Sequence, residues 1–208
     1  MKKSKRIKKS NSWKIKQHRD QFFKKSKTLG YRSRASFKLI ELNKKYKFLK
    51  RNTNLLDLGS FPGGWSQVAS QIIRAGRIMS IDIKNMDPIK DVRFFKGDIL
   101  SNETKSAVIK YFKSNLDVIL SDMAADTTGN KSLDSIRTNQ LCADVINFSK
   151  ETLKPKGVLV SKIFMGEDFL EVKNLAKSTF NKVNFFKPKS SRKESKETYL
   201  HCEILKTL

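Results

Sequence analysis

Two polar side chains stand where an apolar β-strand would not hold them without a use. One is Lys162, inside Val160-Ser161-Lys162-Ile163-Phe164; the other is Asp122, closing the run Leu116–Ser121. A buried charge is costly unless paired. Such a lysine therefore either snorkels to solvent from a sheet edge or serves a site. As a base near neutrality it must be held neutral, because the free amine has a pKa of about 10.4. Desolvation and a second nearby cation both push in that direction. Lys38 is a candidate second cation and Glu197 a candidate neighbour. Spacing alone leaves both readings of Lys162 open.

The segment Leu55-Leu56-Asp57-Leu58-Gly59-Ser60-Phe61-Pro62-Gly63-Gly64-Trp65-Ser66-Gln67 runs from a buried strand through a glycine-rich turn into a helix. Glycines let a ligand approach the backbone closely, and open α/β sheets bind ligands at the carboxyl ends of their strands. The pattern is GxxxGG with Pro62 inside, not the GxGxxG of dinucleotide binders. Asp82 closes the next strand about 20 residues on, where a carboxylate can take ribose hydroxyls. Asp98, in Lys96-Gly97-Asp98, follows the third strand and is placed for an adenine amino group. Singly, Asp57, Asp82 and Asp98 read as caps of strand ends and turns. As an ordered set without a phosphate clamp they suit a cationic, phosphate-free adenosine, which S-adenosyl-L-methionine is.

Methyl transfer from a sulfonium needs a positioned acceptor and, for a hydroxyl, a proton acceptor. Cytosine C5 chemistry would need a nucleophilic thiol, and neither Cys142 nor Cys202 follows a strand end at the switch region. Adenine N6 chemistry favours an Asn/Asp-Pro-Pro-aromatic run, and Ser121-Asp122-Met123-Ala124-Ala125 lacks both prolines and the aromatic. His18 lies in a basic arm and His201 within the last strand, so neither is placed as the base. The two cysteines have no CxxC partner and read as reduced thiols, and no zinc or other metal site is expected.

These residues must be carried by a scaffold. An amphipathic helix is expected from Ser33 to about Phe48, with Phe37, Ile40 and Tyr46 inward. Apolar runs then recur at Asn54–Leu58, Arg77–Ile83, Val92–Phe95, Leu116–Ser121 and Gly157–Phe164. Stretches of helical spacing intervene at Trp65–Ala75, Glu103–Phe112, Leu133–Leu153 and Glu167–Phe180. Leu141, Val145 and Phe148 would share one buried face. Alternation of this kind predicts a mostly parallel sheet covered on both sides. The final runs, Lys182–Phe186 and Glu197–Leu205, have no helix between them and should pair antiparallel.

The chain has 208 residues, 44 Lys+Arg against 20 Asp+Glu, and a net charge of +24. Residues 1–34 hold 14 basic side chains and one acid, Asp20. A cationic segment of that density seeks a polyanion, through phosphate neutralisation and counterion release. Residues 1–12 have no apolar periodicity and read as a mobile arm. Trp13, Phe22, Phe23 and Tyr31 could stack on bases or dock the arm on the domain. No apolar run is long enough to span a bilayer, and no hydrophobic stretch of a secretion signal follows the basic start. A cytoplasmic, monomeric protein with no membrane partner is expected, and the alternative for the basic, acid-poor residues 1–34 is a mitochondrial transit peptide.

The chain resembles the FtsJ/RrmJ (RlmE-type) ribosomal RNA methyltransferases from Trp13 onward. The resemblance rests on Tyr31–Leu39, the Asp57–Gln67 loop, Asp82 with Met86-Asp87-Pro88-Ile89, and Gly97-Asp98. It continues through Ser121-Asp122-Met123-Ala124, Lys162, Ser190-Ser191-Arg192, Ser195, Glu197 and Tyr199. It implies a Rossmann-like α/β S-adenosylmethionine-dependent methyltransferase fold, with a seven-stranded sheet containing one antiparallel strand. With the charge distribution, this divides the chain into a basic RNA-binding extension over 1–30 and a methyltransferase domain over 31–208. The implied catalytic set is Lys38, Asp122, Lys162 and Glu197, with Lys162 as proton acceptor. The implied cofactor contacts are Gly63, Trp65, Asp82, Asp98 and Asp122. The implied substrate is a uridine 2′-hydroxyl in the A loop of 23S ribosomal RNA within the large ribosomal subunit. Rival readings are ribose methylation of another RNA, such as tRNA or an mRNA cap, and a non-catalytic ribosome-assembly protein. Two departures stand out: Ser60-Phe61 before Pro62, and Ala125-Asp126 where many members have Pro-Asn.

Overall fold

The computed structural model describes residues 20–206. The arm over 1–12, Trp13 and His18 lie outside them. Helix α1 (Gln21–Thr28) starts where Asp20 accepts hydrogen bonds from the N–H groups of Phe22 and Phe23, satisfying two donors that the first turn leaves free. Helix α2 (Ala35–Tyr46) follows, ending at Lys47 with φ 53°. Its buried face is Ser36, Phe37, Leu39 and Leu42. Ile40 and Tyr46, expected inward, are half-buried on its flank. Phe22 and Tyr31 both pack on the ring of Phe37, with centroids 5.5 and 5.6 Å apart. The described end of the basic extension is thus docked through its aromatics.

The alternating part comprises β1 (Leu55–Leu58), α3 (Gly64–Ile72), β2 (Ile78–Asp82), β3 (Val92–Lys96), α4 (Asn102–Phe112) and β4 (Leu116–Ser121). It continues with α5 (Lys131–Thr152), β5 (Leu153–Phe164), α6 (Phe169–Thr179), β6 (Phe180–Phe186) and β7 (Glu197–Leu205). The seven strands form one sheet in the order β3-β2-β1-β4-β5-β7-β6. Neighbours from β3 to β5 are parallel, and β7 runs antiparallel to both β5 and β6. This is the mostly parallel seven-stranded sheet with one antiparallel strand that the resemblance implied.

Strand β5 begins four residues earlier than the apolar run indicated. Leu153 pairs with Leu116, and the register then shifts so that Val118 meets Val158. The intervening stretch holds Pro155, which has no N–H to give to a ladder.

Each face of the sheet is covered by helices over its own apolar cluster. One joins Leu56, Leu58, Ile119 and Leu159 to Val108, Val145 and Val172 of α4, α5 and α6. The other joins Leu55, Ile78, Leu120 and Tyr199 to Leu39, Leu42, Trp65 and Val68 of α2 and α3. On α5, Val145 and Phe148 are buried as expected, while Leu141 is half-buried and Cys142 and Ile146 complete the inner face. No helix of the described residues is long and apolar enough to cross a membrane.

Candidate active site

The carboxyl ends of β1, β2, β3 and β4 open onto a cavity of about 630 Å³. Gly59 begins its floor with φ +70°, a conformation that costs a side-chain-bearing residue strain. A Cβ there would also lie 2.5 Å from Cγ of Met123. The N–H groups of Gly59 and Ser60 donate to the carbonyl of Ile81 at 2.9 and 3.2 Å, tying the turn to β2. Asp82 receives the N–H of Phe61 on one oxygen and that of Lys84 on the other, both at 2.8 Å. Asp98 accepts from the N–H of Leu100 at 3.0 Å. Asp82, Asp98 and Asp122 all line the cavity.

Gly63 and Trp65 stand behind this wall. Gly63 caps α3 with φ 103°, and Trp65 is buried, its indole N–H donating to the carbonyl of Ala35 at 2.8 Å. Arg32, which carried no expected role, braces the turn from outside by donating to the carbonyls of Pro62, Asp87 and Pro88. Beneath the floor, Asp57 is fully buried, accepts a 2.5 Å bond from Ser66 and leaves Oδ1 without a partner among the described residues. Burial pushes its pKa up to about 7, and the nearby carboxylates of Asp122 and Asp82 push the same way.

The cavity is acidic in a strongly basic chain. Its lining carries Asp82, Asp98, Asp122, Asp126 and Asp144 against Lys84 and Arg137. A positively charged ligand fits that balance.

At the end of the cavity four ionisable side chains meet, from α2, β5, β7 and the residue that follows β4. Lys162 Nζ lies 2.8 Å from Asp122 Oδ1 and donates to the main-chain carbonyl of Asp122 at 2.7 Å. Its Nζ is 3.8 Å from Glu197 Oε2. Lys38 Nζ sits 2.6 Å from Glu197 Oε1, so the two lysines are joined through that carboxylate. Strand β5 lies between β4 and β7 and Lys162 is 8% exposed, which excludes the snorkelling alternative.

Sequence reasoning left two members without a role. Tyr199 donates its hydroxyl to Asp122 Oδ1 at 2.6 Å, and Ser191 donates to Glu197 Oε1 at 2.9 Å. Period-two alternation places Tyr199 on the same face of β7 as Glu197, a signal that could have revealed it. Nothing local points Ser191 toward Glu197. The loop after β6 is brought in by Glu41, which accepts the N–H groups of Lys189 and Ser190 at 2.7 and 3.0 Å. Arg34 adds a bond to the carbonyl of Ser190 and an ion pair with Asp20.

The surrounding carboxylates set the charge state of the ligand-free site. Burial presses Lys162 toward neutrality, but Asp122 and Glu197 outweigh it and hold its pKa above the ordinary lysine value. The amine is therefore charged in the ligand-free protein. Asp122 is pressed upward by burial, yet Lys162 and Lys38 hold it below the usual carboxylate range. Burial, reinforced by Asp122 and Glu197, keeps the Tyr199 hydroxyl protonated. His201 is remote from this cluster, stacked on Tyr46 at 3.8 Å, and burial lowers its pKa to about 4. Cys142 and Cys202 are buried free thiols, both pushed upward by burial.

The family model described as FtsJ-like methyltransferase matches residues 31–204. The chain is 46% identical over 197 residues to Ribosomal RNA large subunit methyltransferase E of Pelagibacter ubique (strain HTCC1062), covering 95% of this chain and 97% of that protein. It is 45% identical over 181 residues to the protein of the same name from Wolbachia pipientis wMel, covering 87% and 93%. A crystal structure from Plasmodium falciparum, described as that of a ribosomal RNA methyltransferase, superposes with a TM-score of 0.75 at 34% identity, covering 84% of this chain and 98% of that one. Human Methyltransferase-like protein 13 in complex with SAH shares the fold, with a TM-score of 0.59 at 15% identity over 81% of this chain and 79% of that one.

Proposed function

Since the chain belongs to the FtsJ-like methyltransferase family, we propose that it methylates a ribose 2′-hydroxyl of large-subunit ribosomal RNA, using S-adenosyl-L-methionine. The acceptor is a uridine of the A loop of 23S RNA. The observation that carries this reading is the Lys162–Asp122 contact of 2.8 Å at the end of an acidic cavity.

Asp82 and Asp98 take the ribose and adenine of the cofactor, Gly63 and Trp65 support its other end from the turn, and Asp122 faces its charged centre. Bound S-adenosylmethionine supplies an electrophilic methyl group and departs as S-adenosylhomocysteine. Lys162 accepts the 2′-hydroxyl proton as the oxygen–methyl bond forms and the sulfur–methyl bond breaks. It must first lose its resting proton. A second cation held against Asp122 favours that loss, because two cations sharing one carboxylate disfavour the charged amine. Lys38 adds to the repulsion through Glu197, and Tyr199 keeps Asp122 oriented.

The test is transfer of labelled methyl from S-adenosylmethionine to large subunits purified from a methylation-deficient strain, followed by nucleotide mapping. A single methylated A-loop uridine is expected. Label at a different nucleotide, or no label despite tight RNA binding, overturns the assignment.

A further inference from the structure

A second concavity, of about 570 Å³, lies among β2, β3 and α4, on the side of edge strand β3. Arg77 immediately precedes β2, Arg93 is the second residue of β3, and Lys110 and Tyr111 are in the last turn of α4. The groove therefore sits toward the amino ends of the strands, opposite the end that carries Asp122 and Lys162. Its floor is apolar and aromatic, with Met79, Ala107 and the half-buried rings of Phe95 and Tyr111. Its rim is Arg77, Arg93 and Lys110, all exposed.

An adjoining hollow of about 490 Å³ shares Arg77, Arg93 and Tyr111 and adds exposed Arg74, with Asp91 as the one carboxylate in either lining. Arg77 is held over the rim by donating to the carbonyl of Tyr111 at 2.8 Å. Among the described residues none of these four cations forms an ion pair. The chain carries ten arginines against 34 lysines, so three arginines across the groove and its adjoining hollow run against its general preference for lysine.

We propose that this groove is a second RNA-binding site, separate from the one that presents the acceptor ribose, and that it takes a single-stranded segment of RNA. Phosphates lie on Arg74, Arg77, Arg93 and Lys110, and a base packs against Phe95 and Tyr111. Rim cations over an aromatic floor match a strand that offers alternating phosphates and flat bases. Guanidinium groups serve this better than ammonium groups, because they bind phosphate oxygens in pairs and stack on rings. An acidic protein segment would satisfy the rim but leave the aromatic floor unused. That the strand belongs to ribosomal RNA rests on the function proposed above; the affinity for RNA does not.

The experiment compares the full-length wild type with R74Q/R77Q/R93Q/K110Q and a matched control, K150Q/K156Q/K173Q/K177Q, whose lysines lie on α5, β5 and α6. Binding of a fluorescein-labelled single-stranded RNA is titrated over a range of salt, with S-adenosylhomocysteine binding as the check of fold. The slope of log K against log salt should fall by about 0.7 for each lost phosphate contact in the groove variant. It should fall clearly less in the control. Equal slopes in the two variants overturn the proposal, since only net charge then matters. Unchanged oligonucleotide binding with weakened subunit binding also overturns it and points to a ribosomal protein. A second readout needs no variant: photocrosslinking of 4-thiouridine RNA to the wild type should mark Phe95 or Tyr111 peptides, and labelling elsewhere only counts against the site. Groove binding without methyl transfer by the wild type would sink the enzymatic reading while leaving this one intact.

Discussion

In the proposed reaction Lys162 is the residue on which the chemistry turns, and its surroundings set its proton. Its resting charge is stabilised by Asp122 and Glu197. Only the neutral amine accepts a proton, so the methyl-transfer rate should rise with pH across neutrality, measured at saturating cofactor. A flat profile from pH 6 to 9 would remove the lysine from that role. Lys162→Ala should bind S-adenosylhomocysteine nearly as the wild type does while methylation falls by at least about a hundredfold. Asp57 links its titration to stability. Its folded pKa of about 7 exceeds the ordinary 3.8, so the stability it lends is full below pH 3.8 and is lost as pH rises to about 7. Asp57→Asn should therefore gain thermal stability relative to the wild type on going from pH 5 to pH 8. A constant difference in melting temperature would contradict the burial argument.

Among the elements, the loop over 187–196 is the one whose placement decides whether Glu197 is held. It is tied to α2 by Glu41 and to the start of α1 by Arg34 and Asp20. Glu41→Ala leaves two main-chain donors without their carboxylate and should cost about 1–2 kcal/mol. Faster hydrogen exchange across 187–196 and a raised KM for large subunits should accompany that loss, with cofactor affinity unchanged. Protection identical to the wild type would mean the loop is held by other contacts. Gly59 has an equivalent place in the glycine turn, since Met123 occupies the space a side chain would need.

For the whole molecule, charge is divided by sign and place. A chain of +24 keeps five carboxylates around one cavity and spreads cations elsewhere. Residues 1–34 alone account for +13 of the total. Deleting residues 1–12 should weaken RNA binding and flatten its dependence on salt. An unchanged slope would assign the electrostatic grip to the folded part alone.

Strand and helix alternation, the glycine turn, the strand-end acids and the unusual Lys162 were all legible in the linear chain, because periodicity and local backbone preference are properties of neighbours. The helix face of α2 was read only in part, since Tyr46 is drawn sideways by its stack on His201, a residue 155 positions away. The link of Tyr199 to Asp122, the bond from Ser191 to Glu197 and the charged resting state of Lys162 came from the tertiary structure. Each depends on distances between groups far apart in the chain, and a buried amine takes its proton affinity from whichever carboxylates folding sets beside it.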